Sequence, residues 1–192
     1  MLEIALKTGT KSLKQKAQEY NKALETAVKV EGYALRKDLK AEIRTGAPGG
    51  KQFAPLTFLA RRKRGGKRFS PNKPLSRLAL GVFYNIVKRS PFTMAIGWTG
   101  PKTSPAWRRI AERQQEGFSK SVTDPQESYF RHRGEEIGEK SQNRKFFFLK
   151  KSTHQLDTPA RPIVDPFWQA HEMKALANIR TNFKRKLGGE RI

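Results

Sequence analysis

The chain has 192 residues, with 40 Lys plus Arg against 17 Asp plus Glu, a formal charge of +23 and an isoelectric point near 10.6. A charge of that size repels itself unless something negative sits beside it: nucleic acid, an acidic membrane surface or an acidic protein face. Cysteine is absent, which excludes disulfides and thiolate zinc sites, and no run approaches the ~18 apolar residues that a membrane helix needs.

Hydrophobic residues make up 36% of the chain and aromatics 10%, enough for one modest core, so residues 1–192 are expected to form a single domain. The mean hydropathy of −0.75 predicts that part of the chain forms exposed arms or loops. Met1-Leu2-Glu3 does not open a secretion signal, because no apolar core follows a basic start. The expectation is a soluble protein made in a cytoplasm, with no membrane partner.

In chain order, Leu13, Ala17, Tyr20, Leu24, Val28, Leu35, Leu39 and Ile43 recur mostly at steps of three and four. That spacing predicts an amphipathic helix over 10–45, roughly 50 Å long. Gly46-Ala47-Pro48-Gly49-Gly50 stops it, and Gly32 is a point where it is expected to bend or break. So long a stripe predicts packing on a sheet or on a neighbouring subunit. Residues 46–74 read as a basic loop with a short helix at 56–63, centred on RRKRGGKR at 61–68.

Leu75 to Leu80 reads as one or two helical turns ended by Gly81. Residues 82–88 and 92–98 are β-rich and read as an antiparallel hairpin through Arg89-Ser90-Pro91. On its second strand Phe92, Met94, Ile96 and Trp98 alternate with Thr93, Ala95 and Gly97, the period of a half-buried strand. Pro105 opens a short helix with apolar positions Trp107, Ile110, Ala111 and Phe118, and Gly117 as its stop. Residues 119–144 are polar with little periodicity, and RKFFFLKK at 144–151 is a strand candidate.

The segment DTPARPIVDPF, residues 157–167, places Pro159, Pro162 and Pro166 close together. Each proline locks φ and pushes the preceding residue toward extended geometry, so Ala160 and Arg161 are predicted to run extended. Asp165 and Pro166 read as the N-cap and first position of a closing helix. Its stripe is Phe167, Ala170, Met173, Leu176, Ala177, Phe183 and Leu187, with acids early and basic residues late, as the helix dipole prefers. The predicted fold is therefore α+β, a small antiparallel β-sheet packed with a long N-terminal helix and a C-terminal helix. Its core candidates are Phe92, Met94, Ile96, Trp98, Trp107, Ile110 and Phe167.

Catalytic patterns are missing. His132, His154 and His171 fall in three segments without ligand spacing and read as solvated surface histidines, and no P-loop, G-x-S-x-G or H-E-x-x-H pattern occurs. Glu135, Glu136 and Glu139 read as a charged face. No cofactor and no metal is expected. Arg61, Arg62, Lys63, Arg64, Lys67 and Arg68 are candidates for a partner interface, either phosphates or an acidic protein neighbour. Phe53, Phe58 and Phe69 nearby are not spaced as a base-stacking platform.

In order along residues 50–187, several segments resemble the tail-completion proteins of tailed bacteriophages, a virion morphogenesis or neck family. FAPLTFLARRKRGG matches the family's F-x-P-L-T-style loop, PLSRLALG its leucine-rich turn, and MAIGWTG the end of its hairpin. AWRRIAERQQEG stands where the family usually has Y-A-x-x-H-x-x-G, with Trp107 at the tyrosine and Glu112 or Arg113 at the histidine. PARP, residues 159–162, precedes the closing helix, and residues 119–158 look like an insertion found in some members.

The resemblance implies a non-enzymatic ring component at the virion neck, assembled in the host cytoplasm. It would usually be a hexamer, joining head-connector or portal-side proteins to the tail tube or sheath, with DNA passing through the ring without specific binding. Arg161 and Pro162 would then present a rigid edge to the neighbouring subunit. A plain strand-to-helix connection accounts for them equally well, and a basic nucleic-acid-binding or DNA-packaging protein is the rival reading of the whole chain. Segments 46–52, 61–72 and 119–144 are expected to be poorly ordered in a free subunit.

Overall fold

The structure is a computed structural model that describes residues 12–54, 75–89, 92–136 and 153–192. The RRKRGGKR segment, the short helix expected at 56–63 and the strand expected at 144–151 lie outside the described residues.

The architecture is α+β. Helix α1 spans Leu13–Thr45 and opens on a capping box: the Ser12 hydroxyl accepts from the Gln15 N–H at 3.3 Å, and Gln15 Oε1 accepts from the Ser12 N–H at 3.0 Å. Gly46 closes it, donating to the Glu42 carbonyl at 2.9 Å. The helix runs unbroken through Gly32. There Met94 lies against the bare backbone, and a Cβ would stand 1.8 Å from its Cε. Gly32 is thus a notch for the sheet rather than a bend.

The buried face of α1 differs from the expected stripe. Ala23, Ala27, Glu31, Leu35, Leu39 and Ile43 are buried, each four residues from the last. Four residues turn about 40° beyond a full circle, so this row winds around the helix instead of following one side. Leu35, Leu39 and Ile43 were in the expected stripe; Leu13, Tyr20 and Leu24 were too, yet they are exposed.

After the 3-10 turn Ser76–Gly81, strands β1 (Phe83–Arg89) and β2 (Phe92–Gly97) pair antiparallel. Phe83 lies opposite Gly97 and Ile86 opposite Met94, and the register shifts between Ile86 and Lys88. The expected inward face of β2 holds in part. Ile96 and Trp98 pack on the core, Met94 fills the Gly32 notch, and all three stay half-buried. Helix α2 (Pro105–Glu116) is capped by Ser104. It buries Ala111 and rests Trp107 on the core, but Ile110, expected inside, is 46% exposed. The contacts of α2 run along Trp107, Ala111 and Gln114, and Ile110 sits on the flank of that row.

Region 119–144 was expected to lack regular structure, and its described part corrects that. Strand β3 (Phe118–Ser121) pairs antiparallel with β4 (Gln155–Thr158), and helix α3 (Asp124–Glu136) follows β3. The Ser119 hydroxyl donates to the Asp157 carboxylate across this pair. The glycine-rich stretch after α1, also expected to be poorly ordered, forms a 3-10 turn at Pro48–Gly50.

Helix α4 (Val164–Leu187) begins earlier than the Asp165-Pro166 pair suggested. Ile163 precedes it, and both Asp165 and Pro166 lie within its first turn, where a missing proline N–H removes no helical bond. The cap comes from another element: Gln115 Oε1 of α2 accepts from the Val164 N–H at 3.2 Å.

Helix α4 runs antiparallel to α1. Tyr20 meets Phe183 at 6.3 Å, Asn178 donates to Glu31 at 3.1 Å, and His171 meets Glu42 at 2.6 Å. One core gathers Leu35, Leu39, Ile43, Phe53, Leu75, Leu78, Val82, Ala111, Ile163 and Phe167.

Gly49 sits where only glycine fits: φ is 60°, and a Cβ would stand 2.1 Å from the Pro166 carbonyl oxygen. Its neighbour Gly50 has φ 78° with open space around it. Gly50→Ala should therefore cost about 1 kcal/mol of backbone strain alone, and Gly49→Ala about 3 kcal/mol, because α4 must also shift. Denaturant unfolding of both variants checks this, and equal losses would show that the turn does not seat α4.

Candidate interaction surface

Among the described residues, no group of three or more His, Asp or Glu is placed to hold a metal ion. The polar groups inside the fold serve its joints. Glu42 Oε2 accepts from the Gly49 N–H at 2.7 Å, while its Oε1 lies 2.6 Å from His171 Nε2. The His171 ring also stacks on Phe167 at 4.4 Å. This histidine, read from sequence as a surface residue, is a largely buried tie between α1, the glycine turn and α4. His132 and His154 are exposed, as expected.

Arg161 departs most from its expected place. It is 5% exposed and does not form an outward edge. Its Nε donates to the Ala54 carbonyl at 3.2 Å, its Nη1 to Gln114 Oε1 at 3.3 Å, and its backbone N–H to the Gln114 carbonyl at 2.7 Å. The two flanking prolines hold the backbone extended so that the guanidinium reaches inward, joining α2 to the segment after α1. Burial lowers the Arg161 pKa from its usual value, yet an arginine in a protein stays protonated. Pro162 beside it is exposed.

What the described surface offers outward is apolar and basic. On α1 all residues from 12 to 22 are exposed, and Leu13 at 86%, Tyr20 at 53% and Leu24 at 40% fall on one side. On α4, Met173 at 79%, Leu176 at 45% and Leu187 at 41% fall on the side turned from α1, since Phe167, His171, Ala175 and Asn178 face inward. Their steps of three and eleven keep them on one side of α4, while Phe183 between them turns to Tyr20 of α1. Periodicity found these apolar positions but could not say which would be covered, because it cannot tell a core from a subunit contact. It missed Glu31 and Glu42 for a different reason: acids near a buried row read as its polar edge.

No family model matches the chain, and no curated protein or solved structure matches it either. Among the described residues no helix is long and apolar enough to cross a membrane.

Arg161→Met should lower the unfolding free energy of the isolated chain by about 2–3 kcal/mol, because the Ala54 and Gln114 acceptors lose their donor. Thermal or denaturant unfolding measures it. An unchanged stability would show that these hydrogen bonds do not hold the joint between α2 and the segment after α1.

Proposed function

We propose that the chain is a structural, non-enzymatic protein of a tailed-bacteriophage virion, a ring-forming tail-completion protein of the neck that joins the head connector to the tail. The resemblance of its segments, in their order along the chain, to that family supplies the class. The observation that carries the reading is the pair of apolar rows on α1 and α4 that the subunit's own core leaves uncovered. Singly exposed apolar side chains need no explanation, but rows of them at helix-packing steps suit contact with another subunit. In a closed ring each subunit would cover its neighbour's row.

In this reading the charge of +23 is balanced by acidic faces of the connector and of the tail tube or sheath, which set encounter rate and register. DNA crosses the lumen without base recognition, and no cofactor takes part.

Native mass spectrometry of the full chain, alone and on purified tails, tests the proposal. Closed rings, hexamers above all, are the expected result. Leu176→Glu with Met173→Glu should shift the population to monomers without unfolding the chain, since both side chains stand outside the core. A wild-type chain that stays monomeric alone and on tails would contradict the reading.

A further inference from the structure

Helix α1 carries a second row, one that no apolar packing explains. Tyr33, Arg36, Lys37, Lys40 and Arg44 follow at steps of three, one, three and four. Helical geometry places them along one side over about 16 Å. Tyr33 is 60% exposed, Lys37 and Arg44 are exposed, and Arg36 and Lys40 are half-buried.

Two of these cations are held in place. Arg36 Cζ lies 5.3 Å and Lys40 Nζ 5.2 Å from the centre of the Phe83 ring, and Arg36 Nε donates to the Val82 carbonyl at 3.2 Å.

Among the described residues no carboxylate answers them. The residues three and four positions from Lys40 are Arg36, Lys37, Ile43 and Arg44. Glu42 is engaged with Gly49 and His171, and among the described residues neither Lys37, Lys40 nor Arg44 pairs with an acid. Arg36–Lys40 and Lys40–Arg44 are like-charge pairs at the spacing that destabilises a helix. Desolvation first, then Arg36 and Arg44, lower the Lys40 pKa from its usual value. Among the described residues the row therefore holds positive charge that no acid offsets, with two of its cations held against the Phe83 ring.

That chemistry discriminates between partners. The centre of a protein–protein contact is depleted in charge and built on apolar anchors, which this row lacks. A line of Lys and Arg beside one exposed ring, Tyr33, and the half-buried Phe83 fits a phosphate backbone, whose charges recur every ~3.4 Å along one strand. We propose that this face of α1 is a sequence-independent binding site for the phosphate backbone of nucleic acid. Lys37, Lys40 and Arg44 contact the phosphates, and Arg36, Tyr33 and Phe83 form the platform beside them. The site stands apart from the ring reading: a monomer can bind through it, and a ring can close without it.

The experiment uses the full chain and a short labelled DNA duplex, read by fluorescence anisotropy across salt concentrations. One variant combines Lys37→Gln, Lys40→Gln and Arg44→Gln; the control combines Lys14→Gln, Lys16→Gln and Lys102→Gln, exposed positions carrying the same total charge. Residues 61–68 are unchanged in both, so their share cancels. The row variant is expected to lose at least about tenfold in affinity and to flatten the salt slope by about 2–3, and the control to change less than about threefold. Lys40→Arg with Arg44→Lys should bind like the wild type. Equal losses in row variant and control would reduce the effect to net charge and overturn the site, as would wild-type binding by the row variant. Poly-glutamate binding as tightly as the duplex, and lost in the same variant, would overturn it in favour of an acidic protein partner. Thermal melting checks that each variant is folded: Lys37 and Arg44 are exposed, and the Phe83 ring that loses Lys40 keeps Arg36 over it.

Discussion

The fold turns on one carboxylate. Glu42 lies in the last turn of α1; its backbone carbonyl helps to close that helix, while its side chain binds the Gly49 N–H and the His171 ring. The end of the long helix, the glycine turn and the first turns of α4 thereby meet at one point. Gly49 has no Cβ to hold the Pro166 carbonyl away, so α4 is seated directly on the turn. From there α4 has one course, back along α1, with Glu31–Asn178 and Tyr20–Phe183 as later contacts. The core of Leu35, Leu39, Ile43, Ile163 and Phe167 fills the angle so defined, and the β1–β2 hairpin closes its open side.

This arrangement makes α1 serve several sides at once. Its C-terminal half faces the core on one side and carries the Tyr33–Arg44 row on another. Its N-terminal part has no core beneath it and shows Leu13 and Leu24 to the outside, with Tyr20 half covered by Phe183. A helix of 33 residues is longer than this core can cover. The surplus, together with the outer row of α4, is where the proposed ring contacts belong. The proposed phosphate-binding row uses different residues of the same helix, so the proposed assembly and nucleic-acid contact would not compete for one surface.

Local signals in the sequence were legible where they acted locally. Gly46 marks the end of α1, the alternation from Phe92 to Trp98 marks β2, and Pro105 with Gly117 frame α2, whereas the Ser12 and Ser104 caps emerge from the structure. What stayed hidden depends on distant partners. Strands β3 and β4 are four residues each, with polar residues and too few apolar ones to show a period, and they exist because they pair with each other across 38 positions at Ser119 and Asp157. The start of α4 is set by Gln115 of another helix, so a local N-cap search settles on Asp165 instead. The prolines around Arg161 did announce a fixed backbone, but the direction of the side chain follows from Ala54 and Gln114, which no local pattern places there. In the candidate surface the exposed apolar rows were visible as stripes; their exposure was not.

In the single chain α1 is packed over its C-terminal half and uncovered over its N-terminal part. Native-state hydrogen exchange of the isolated chain, followed by peptide, measures this directly. Residues 31–45 and 164–178 should exchange slowest and as one cooperative unit, because they share the core and the Glu42 tie. Residues 13–22 should exchange close to the rate of an unpacked helix and slow markedly once the chain is assembled. Exchange of 13–22 in the monomer as slow as that of 31–45 would contradict the account, since that part of the helix would then be covered within the single chain.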